Sequence, residues 1–401
     1  MAGTGKRAVV SVGADVLAAE GFARLAGKRV GLVTNHTGLA NGIHVADLLA
    51  RAKDVKLAAI FAPEHGFRGT AEAGVKVRDG RDEKTGVKVF SLYGATRKPT
   101  PAMLAGLDVL VFDIQDIGAR FYTYISTMGL CMEAAAEAGI PFVVLDRPNP
   151  LGGDYISGFM LEPAFKSFVG QYPIPIVHGL SVGELARMIQ GERWMAGLDR
   201  LLLEVVRAEG WKRDMRWDRT GRAWVATSPN IPTFLSALVY PGIGVIGESG
   251  LVNEGRGTPT PFSLFGAPWL DARRVAARLN EAALPGVRFE ATRYTPRAIP
   301  QVASDPLFEG EEIAGVRLVA TDTARLAPLE IGMHAMALVV AEARAKGQQR
   351  PFRNVKMFHA ISGTKRLHKM LLDGTEGAAI VAAWQREVSA FRERRQRYLL
   401  Y

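Results

Sequence analysis

Short apolar runs alternate with longer helical patterns along the first half of the chain. Runs with the length and composition of buried parallel strands cover residues 29–34, 55–61, 87–92, 107–113 and 142–146. Apolar residues at helical spacing lie between several of these runs, at residues 45–52 and 127–138. Because strands that alternate with helices form right-handed βαβ units, we expect an α/β fold with a Rossmann-like, mostly parallel sheet.

The pattern changes in the second half of the chain. A loop-rich region, residues 227–258, interrupts the alternation with Gly and Pro, and we place a domain boundary inside it, near Leu235. Later patterns are helical at residues 273–283, strand-like at 287–291 and 316–322, and helical at 329–345 and 378–398. The sequence therefore predicts a Rossmann-like domain over residues 1–235 and a smaller α+β domain over residues 236–401.

Composition narrows the class of protein. A chain of 401 residues with 48% hydrophobic and 22% charged residues is globular and long enough for two domains. No apolar run approaches the length that spans a bilayer. The formal charge of +10 suits an anionic ligand, but Lys and Arg are dispersed along the chain, which disfavours nucleic acid as a partner. The single cysteine, Cys131, excludes an intrachain disulfide and a thiolate metal site.

The start of the chain lacks the basic, apolar and small-residue order of a secretory signal peptide. Two interpretations stay open: the protein is cytoplasmic, or an export signal is missing from this sequence. The oligomeric state is not predicted.

The strongest candidate chemistry follows the second predicted strand, in the segment FAPEHGFRG at residues 61–69. Pro63 cannot continue a strand ladder, so Glu64, His65 and Arg68 stand in a loop at the carboxyl end of a strand. Ligands of parallel α/β sheets bind at that edge. An ordinary loop, in which Glu64 caps the next helix and Arg68 is solvated, is the alternative.

A second carboxylate cluster follows residues 107–113. Asp113, Asp116 and Arg120 are expected at the same sheet edge as Glu64, with Tyr122 beside them. Two carboxyl groups that face one cleft are what glycoside hydrolysis requires, one as proton donor and one as base or nucleophile. The alternative is that Asp113 closes the strand and Asp116 caps the helix.

Further polar residues stand in other loops. Arg147 and Asn149 end the strand at residues 142–146, and Glu254 and Arg256 lie in the interdomain region. His178 stands alone in its own loop. Histidines on separate loops without fixed spacing are poor evidence for a metal. No Gly-x-Gly-x-x-Gly follows the first strand, so a dinucleotide cofactor is disfavoured.

Several motifs together resemble the exo-acting N-acetylmuramidase family. The motifs are FAPEHGFRG (61–69), SLYG (91–94), KPTPAML (98–104), FDIQDIG (112–118), RFYTY (120–124), LDRPNP (145–150), FVG (168–170), YPIP (172–175), HG (178–179), SPNIPT (228–233), EGRGT (254–258) and RYLLY (397–401). They cover nearly the whole chain. One stretch departs from the family: where the family runs Glu-Gly-Thr-Asn-x-Ser before EGRGT, this chain has GESGLVN at residues 247–253.

The resemblance implies a Rossmann-like domain, a smaller C-terminal domain and a cleft between them. It also implies release of terminal N-acetylmuramic acid from the non-reducing ends of peptidoglycan fragments, without a cofactor or metal. By the same resemblance, Glu64 is the leading catalytic residue, and Asn230 in the SPNIPT motif joins the candidate binding residues.

We expect Glu64 to act as general acid, with Asp116 or Asp113 as second carboxylate and Glu254 as the rival. The lactyl carboxylate of muramic acid calls for an arginine, and the candidates are Arg256 first, then Arg147, Arg68 and Arg120. The alternative function is a carbohydrate-binding or sensing protein in which the altered loop has removed the chemistry.

Overall fold

A computed structural model describes residues 9–68, 75, 78–348 and 352–401. Two parts of the chain named above lie outside these residues: residues 1–8, where a signal peptide was sought, and Gly69, which ends the FAPEHGFRG motif.

The first half of the chain supplies eleven strands and five helices within the described residues. The strands are β1 (Arg29–Thr34), β2 (Leu39–Ala40), β3 (Ile43–His44), β4 (Lys56–Ala62), β5 (Gly80–Arg81), β6 (Lys88–Ser91), β7 (Val109–Asp113), β8 (Phe142–Leu145), β9 (Ser157–Met160), β10 (Pro175–Val177) and β11 (Leu203–Val206). The helices are α1 (Gly13–Ala19), α2 (Val45–Arg51), α3 (Pro101–Leu104), α4 (Tyr124–Ala138) and α5 (Val182–Gly191). Short 3-10 helices cover Ala23–Leu25, Pro163–Phe165, Leu198–Arg200 and Trp217–Arg219.

Seven of these strands form one sheet in the order β11-β8-β7-β1-β4-β6-β5. Every pair of neighbours is parallel except β5, which runs antiparallel to β6 at the edge. From β1 the chain builds outward through β4 and β6, then returns to the other side of β1 with β7, β8 and β11. This is the strand order of a Rossmann fold, and its winding reverses between β1 and β7. The predicted Rossmann-like, mostly parallel sheet is confirmed.

The second half is a smaller α+β unit, as expected. Its strands are β12 (Leu264–Ala267), β13 (Val287–Tyr294) and β14 (Ile313–Ala320), which form an antiparallel sheet in the order β12-β14-β13. Its helices are α6 (Phe234–Gly247), α7 (Ala272–Glu281), α8 (Pro328–Ala345), α9 (Val355–Ser362), α10 (Arg366–Leu372), α11 (Gly377–Ala382) and α12 (Gln385–Arg395), followed by a 3-10 turn at Gln396–Tyr398. The exact boundary near Leu235 stays a prediction.

One predicted loop is a helix. The Gly- and Pro-containing segment after Leu235 was expected to be irregular, but it forms most of α6, with Pro241 inside the helix. Thr233 caps the start of α6 by accepting a hydrogen bond from the backbone N–H of Ser236. Proline in a helix interior costs about 3 kcal/mol. Tight packing against α8 offsets that cost, because the backbones meet at Gly242 and Gly332, where an added Cβ would clash with the facing chain.

The last predicted helix, at residues 378–398, is two helices. The chain turns at Trp384, between α11 and α12, and the Trp384 ring is fully buried against Phe159. Since Phe159 belongs to β9, the buried Trp384 ring joins this part of the second half to the first half of the chain. No helix in the described part of the chain is long and apolar enough to cross a membrane.

Candidate active site

A cavity of about 450 Å³ lies beyond the carboxyl ends of the parallel strands. Its walls come from both sides of the boundary that we place near Leu235. The described lining residues are Glu64, His65, Tyr93, Phe121, Tyr122, Thr123, Val169, Ser228, Asn230, Ile231, Tyr240, Glu248, Arg256, Phe262, Ala303, Asp305, Pro306, Met357 and Ile361. Five residues predicted from the sequence are among them: Glu64, His65, Tyr122, Asn230 and Arg256.

Glu64 is held in place by two hydroxyl groups. It stands two residues after the end of β4, and its Oε2 accepts a hydrogen bond of 2.5 Å from Oγ1 of Thr123, the residue before α4. The Tyr93 hydroxyl also hydrogen-bonds to the Glu64 carboxylate. Burial, together with the charge of Glu64, raises the pKa of Tyr93 to about 12, so Tyr93 stays protonated near neutrality and can donate. The Glu64 carboxylate is therefore fixed at the cavity wall.

His65 adopts an unusual backbone conformation beside Glu64. Its φ angle is 69°, in the left-handed region that non-glycine residues rarely occupy. The side chain is buried and meets the Tyr124 ring edge to face, with 6.5 Å between centroids. Left-handed residues persist where the surrounding structure holds them, and they cluster at functional sites. This turn directs Glu64 into the cavity while His65 packs below it.

An aromatic wall covers another side of the cavity. The Tyr240 ring lies 4.8 Å from the Phe262 ring and 5.9 Å from the Tyr122 ring, with each pair near perpendicular. The Tyr122 hydroxyl donates to Oγ1 of Thr227, and the Tyr124 hydroxyl donates to the Thr227 carbonyl. These bonds anchor the segment that carries Ser228, Asn230 and Ile231 into the cavity. The wall is apolar enough to pack against the carbon face of a sugar ring.

Glu248 brings a second carboxylate into the cavity. It is the residue directly after α6, and no hydrogen bond to its carboxylate is found among the described residues. Burial raises the pKa of Glu248, and the nearby Glu254 adds to the shift, while the Arg256 guanidinium acts against it. A partly buried carboxylate that faces a cavity without a bonded partner is a candidate for proton transfer or nucleophilic attack.

Arg256 stands next to Glu248 and is oriented by Glu254. Its Nη1 donates to Oε1 of Glu254 at 2.6 Å, and its guanidinium lies 5.3 Å from the centroid of the Phe262 ring. In the described structure no other hydrogen bond to this guanidinium is present, so its remaining donors can reach a ligand. Glu254 itself does not line the cavity, and Gly247 leaves room for its carboxyl group against the end of α6. Glu254 therefore pairs with Arg256 and is absent from the cavity lining, so its position does not support the expected role as rival catalytic carboxylate.

Nearly the whole chain is similar to known proteins. Two family models match the chain: "Exo-beta-N-acetylmuramidase NamZ, N-terminal" over residues 30–235 and "Exo-beta-N-acetylmuramidase NamZ, C-terminal" over residues 238–401. The chain belongs to the NamZ family. It is 42% identical over 399 residues to the peptidoglycan beta-N-acetylmuramidase NamZ of Bacillus subtilis (strain 168), which covers 99% of this chain and 93% of that protein.

Two solved structures are also similar to this chain. Both are DUF1343 family proteins of Bacteroides fragilis NCTC 9343. The first has a TM-score of 0.89 at 41% identity and the second a TM-score of 0.79 at 33% identity. Each alignment covers 98% of this chain and 99% of the other. The family resemblance predicted from the sequence motifs is confirmed.

Asp113 belongs to the NamZ motif FDIQDIG, but it does not reach the cavity. Its two carboxylate oxygens accept hydrogen bonds from Nε and Nη2 of Arg147, at 2.6 and 3.0 Å, and both side chains are buried. The expected roles of Asp113 as second carboxylate and of Arg147 as ligand for the substrate are therefore not supported by their positions. The pair joins the ends of β7 and β8, because each charge needs the other once it is buried.

Asp116 is likewise not among the residues that line the cavity. Its Oδ2 accepts a hydrogen bond from the backbone N–H of Gly118, and its Oδ1 is buried without a hydrogen-bond partner in the described residues. Burial raises the pKa of Asp116 to about 7, although the backbone N–H groups of Gly118 and Ile117 favour the charged form. Asp116 therefore closes a turn, as the alternative interpretation of the sequence had it, and is not placed to act on a substrate.

The raised pKa of Asp116 predicts a pH-dependent stability. The carboxyl group titrates near pH 3.9 in the unfolded chain and near 7 in the folded protein, so its contribution to stability is lost as the pH rises between these values. In Asp116→Asn this loss is absent. The free energy of unfolding of the variant, relative to wild type, should rise by about 4 kcal/mol between pH 4 and pH 8.

Urea unfolding at the two pH values measures this difference, with Asp199→Asn, at an exposed carboxylate, as control. A relative stability of Asp116→Asn that is the same at both pH values would contradict the raised pKa.

The remaining predicted arginines are structural or lie outside the cavity. Arg120 is fully buried and donates to the carbonyls of Phe159, Ile174 and Ile361, which ties the first half of the chain to α9. Burial lowers the pKa of Arg120 to about 9. Arg68 is exposed and paired with Asp82. Both were candidates for the lactyl carboxylate, and a solvated Arg68 was the alternative interpretation. Of the four candidate arginines, Arg256 is the one among the described lining residues.

Two other predicted binding residues are part of the core. His178 is buried, and its Nδ1 accepts a hydrogen bond from the backbone N–H of Leu180. Burial, with the charges of Arg395 and Arg120, lowers the pKa of His178 to about 3, so its ring is neutral. Asn149 donates to the Leu180 carbonyl and accepts from the Leu151 N–H. Both residues fix the loop after β10 and do not line the cavity, contrary to the expectation that they bind substrate.

Sequence reasoning missed Glu248, Tyr240, Phe262 and Asp305, which all line the cavity. A signal for Glu248 was present: counted back from EGRGT, it occupies the place of the first glutamate in the family pattern Glu-Gly-Thr-Asn-x-Ser. This chain departs from the NamZ pattern in the residues after Glu248, but it keeps the glutamate at that position. No group of three or more His, Cys, Asp or Glu in the described part of the chain is arranged to hold a metal ion.

Proposed function

We propose that this protein is an exo-acting β-N-acetylmuramidase that releases terminal N-acetylmuramic acid from peptidoglycan fragments. The observation that carries the proposal is the arrangement of Glu64, Glu248 and Arg256 around one cavity with an aromatic wall. Family membership and the activity named for the Bacillus subtilis relative support it. The alternative, a sugar-binding protein without chemistry, is disfavoured because the carboxylates of Glu64 and Glu248 both line the cavity.

The two glutamates take complementary roles. Glu64 gives a proton to the glycosidic oxygen as the bond to the anomeric carbon breaks, so the leaving sugar departs as an alcohol. Glu248 acts in its ionised form, either by accepting a proton from the attacking water or by bonding to the anomeric carbon. Because burial raises the pKa of Glu248 towards neutrality, its carboxylate is a stronger base than an exposed glutamate.

The aromatic wall and Arg256 recognise the terminal sugar. The rings of Tyr122, Tyr240 and Phe262 offer an apolar surface to the carbon face of the pyranose. Muramic acid differs from N-acetylglucosamine by a lactyl ether that carries a carboxylate. The donors of Arg256 that Glu254 leaves unused can hold that carboxylate through charge-assisted hydrogen bonds.

A pair of chromogenic substrates tests the proposal. We expect turnover of an aryl N-acetylmuramide and slower turnover of the matching N-acetylglucosaminide. Arg256→Ala should lose about 2 to 5 kcal/mol of transition-state stabilisation with the muramide, measured as a fall in kcat/KM. The fall in kcat/KM for the glucosaminide should be much smaller. The ratio of the two kcat/KM values is the measurement.

Arg293→Ala is the matched control, since Arg293 also pairs with a glutamate, Glu312, but lies at the surface of β13. An unchanged substrate ratio in Arg256→Ala would rule out Arg256 as the lactyl-binding residue. Tight binding of the muramide by the wild-type protein without turnover would favour the sugar-binding alternative instead.

A further inference from the structure

Three side chains form a shelf close to Glu64, which we call the rim shelf: Tyr93, Arg97 and Phe168. Arg97 is exposed, and the two aromatic rings are half-buried. The rings of Tyr93 and Phe168 lie 6.0 Å apart between centroids. The Arg97 guanidinium carbon lies 4.2 Å from the centroid of Phe168 and 5.7 Å from that of Tyr93. Tyr93 lines the cavity, and so does Val169, which directly follows Phe168, whereas Arg97 and Phe168 are not among the lining residues. The shelf is thus an outer extension of the site.

Hydrogen bonds from neighbouring elements hold the backbone of the rim shelf at Tyr93 and Phe168. Ser91, which ends β6, accepts a hydrogen bond from the backbone N–H of Tyr93. Ser126, buried in α4, donates a hydrogen bond of 2.7 Å to the Phe168 carbonyl. Two backbone hydrogen bonds close the turn from Ser167 to Gly170 around Phe168. A surface fixed in this way binds a ligand without first losing its own conformational freedom.

Arg97 carries a positive charge and has no acidic partner among the described residues. Within the described residues it makes no ion pair and no hydrogen bond, and its side chain is exposed. An aromatic ring contacts the flat face of a guanidinium and does not use its N–H groups. These groups can therefore still donate to a hydroxyl or amide oxygen of a bound molecule. Most of the other arginines at the site are already paired or buried. The shelf therefore combines two ring faces with a set of unused donors.

We propose that the rim shelf is the binding site for the sugar that leaves, an N-acetylated amino sugar joined to the terminal muramic acid. The inference rests on the proposed function. A departing sugar must lie beside the group that protonates its oxygen, and Tyr93 is both part of the shelf and hydrogen-bonded to Glu64. The carbon face of the sugar packs on Tyr93 and Phe168, and Arg97 donates to its acetamido or hydroxyl oxygens.

Two substrates with the same terminal sugar test this assignment. One is the disaccharide in which N-acetylmuramic acid is linked to N-acetylglucosamine, and the other is N-acetylmuramyl fluoride, whose leaving group occupies no sugar site. In Arg97→Ala and Phe168→Ala, kcat/KM for the disaccharide should fall by about ten- to a hundredfold, mainly through KM. The kcat/KM for the fluoride should stay near the wild-type value. Arg273→Ala, at an exposed arginine of α7, is the control.

Equal losses on both substrates, or no loss on the disaccharide, would overturn the assignment of the rim shelf. The proposed function is judged separately, from the wild-type rates. If the wild-type protein turns over neither substrate, the assignment is tested by binding. The protein is then titrated with the disaccharide and with free N-acetylmuramic acid. Arg97→Ala and Phe168→Ala should then lower the affinity for the disaccharide and leave the affinity for free N-acetylmuramic acid unchanged. An unchanged affinity for the disaccharide would again contradict the proposal.

Discussion

Replacement of Glu64 by glutamine is expected to lower kcat on a natural disaccharide by roughly 10² to 10⁴, because glutamine cannot donate a proton to the glycosidic oxygen. The change keeps the shape of the side chain, and the amide oxygen and amide N–H2 of glutamine can still form hydrogen bonds with the hydroxyl groups of Thr123 and Tyr93. KM should therefore change little. Steady-state kinetics on the disaccharide, compared with an activated aryl glycoside, is the measurement.

The comparison of substrates identifies the role of Glu64. An aryl leaving group needs little protonation, so the loss in kcat should be much smaller on the aryl glycoside than on the disaccharide. Glu311→Gln, at an exposed glutamate, serves as control. Near-normal turnover of the disaccharide by Glu64→Gln would exclude Glu64 as the general acid, and an equal loss on both substrates would point to a role other than protonation of the leaving group.

Removal of the Glu248 carboxylate should have a similarly large effect. We expect Glu248→Ala to lose roughly 10² to 10⁴ in kcat on both substrates, because the missing group acts on the anomeric carbon or on water and not on the leaving group. Added formate or azide should restore part of the rate by standing in for the carboxylate. The configuration of the first product, in wild type and in the rescued variant, then reports whether the reaction retains or inverts the anomeric centre.

The pH dependence of kcat/KM gives an independent test of the role of the Glu248 carboxylate. The catalytic form is the ionised one, and burial raises the pKa of Glu248, so wild-type kcat/KM should decline as the pH falls through a value above the ordinary glutamate pKa of about 4.3. An acidic limb at or below that value, or full activity of Glu248→Ala without an added anion, would exclude this carboxylate.

Local sequence patterns predicted the central sheet because each of its main strands can be recognised from its own composition. The runs that became β1, β4, β7 and β8 are short, apolar and rich in β-branched residues, and a strand buried on both faces has that composition wherever it occurs. Alternation with helices then leaves few ways to wind the sheet. The position of Glu64 follows from the same reasoning, since a proline directly after a strand places the next residues at the carboxyl edge.

Local patterns could not predict which charged residues face the cavity. Asp113 is the last residue of β7, and Glu64 stands just after β4, so both lie at the carboxyl ends of parallel strands. Asp113 is nevertheless buried against Arg147, which lies 34 positions further along the chain. Pairing of this kind depends on which loops fold over a strand end, and a sequence pattern carries no information about that contact. A similar limit applies to Asp116, whose carboxylate turns back onto the Gly118 N–H.

The sequence by itself determined the Rossmann-like sheet, the family, and the edge at which Glu64 stands. The tertiary structure decided which carboxylate accompanies Glu64 and which arginine can meet the substrate. Glu248 reaches the cavity because α6 forms through Pro241 and packs on α8, although its Gly and Pro residues predict a loop. Burial against a distant helix outweighed the local cost of proline, and only contacts between residues far apart in the chain could supply that free energy.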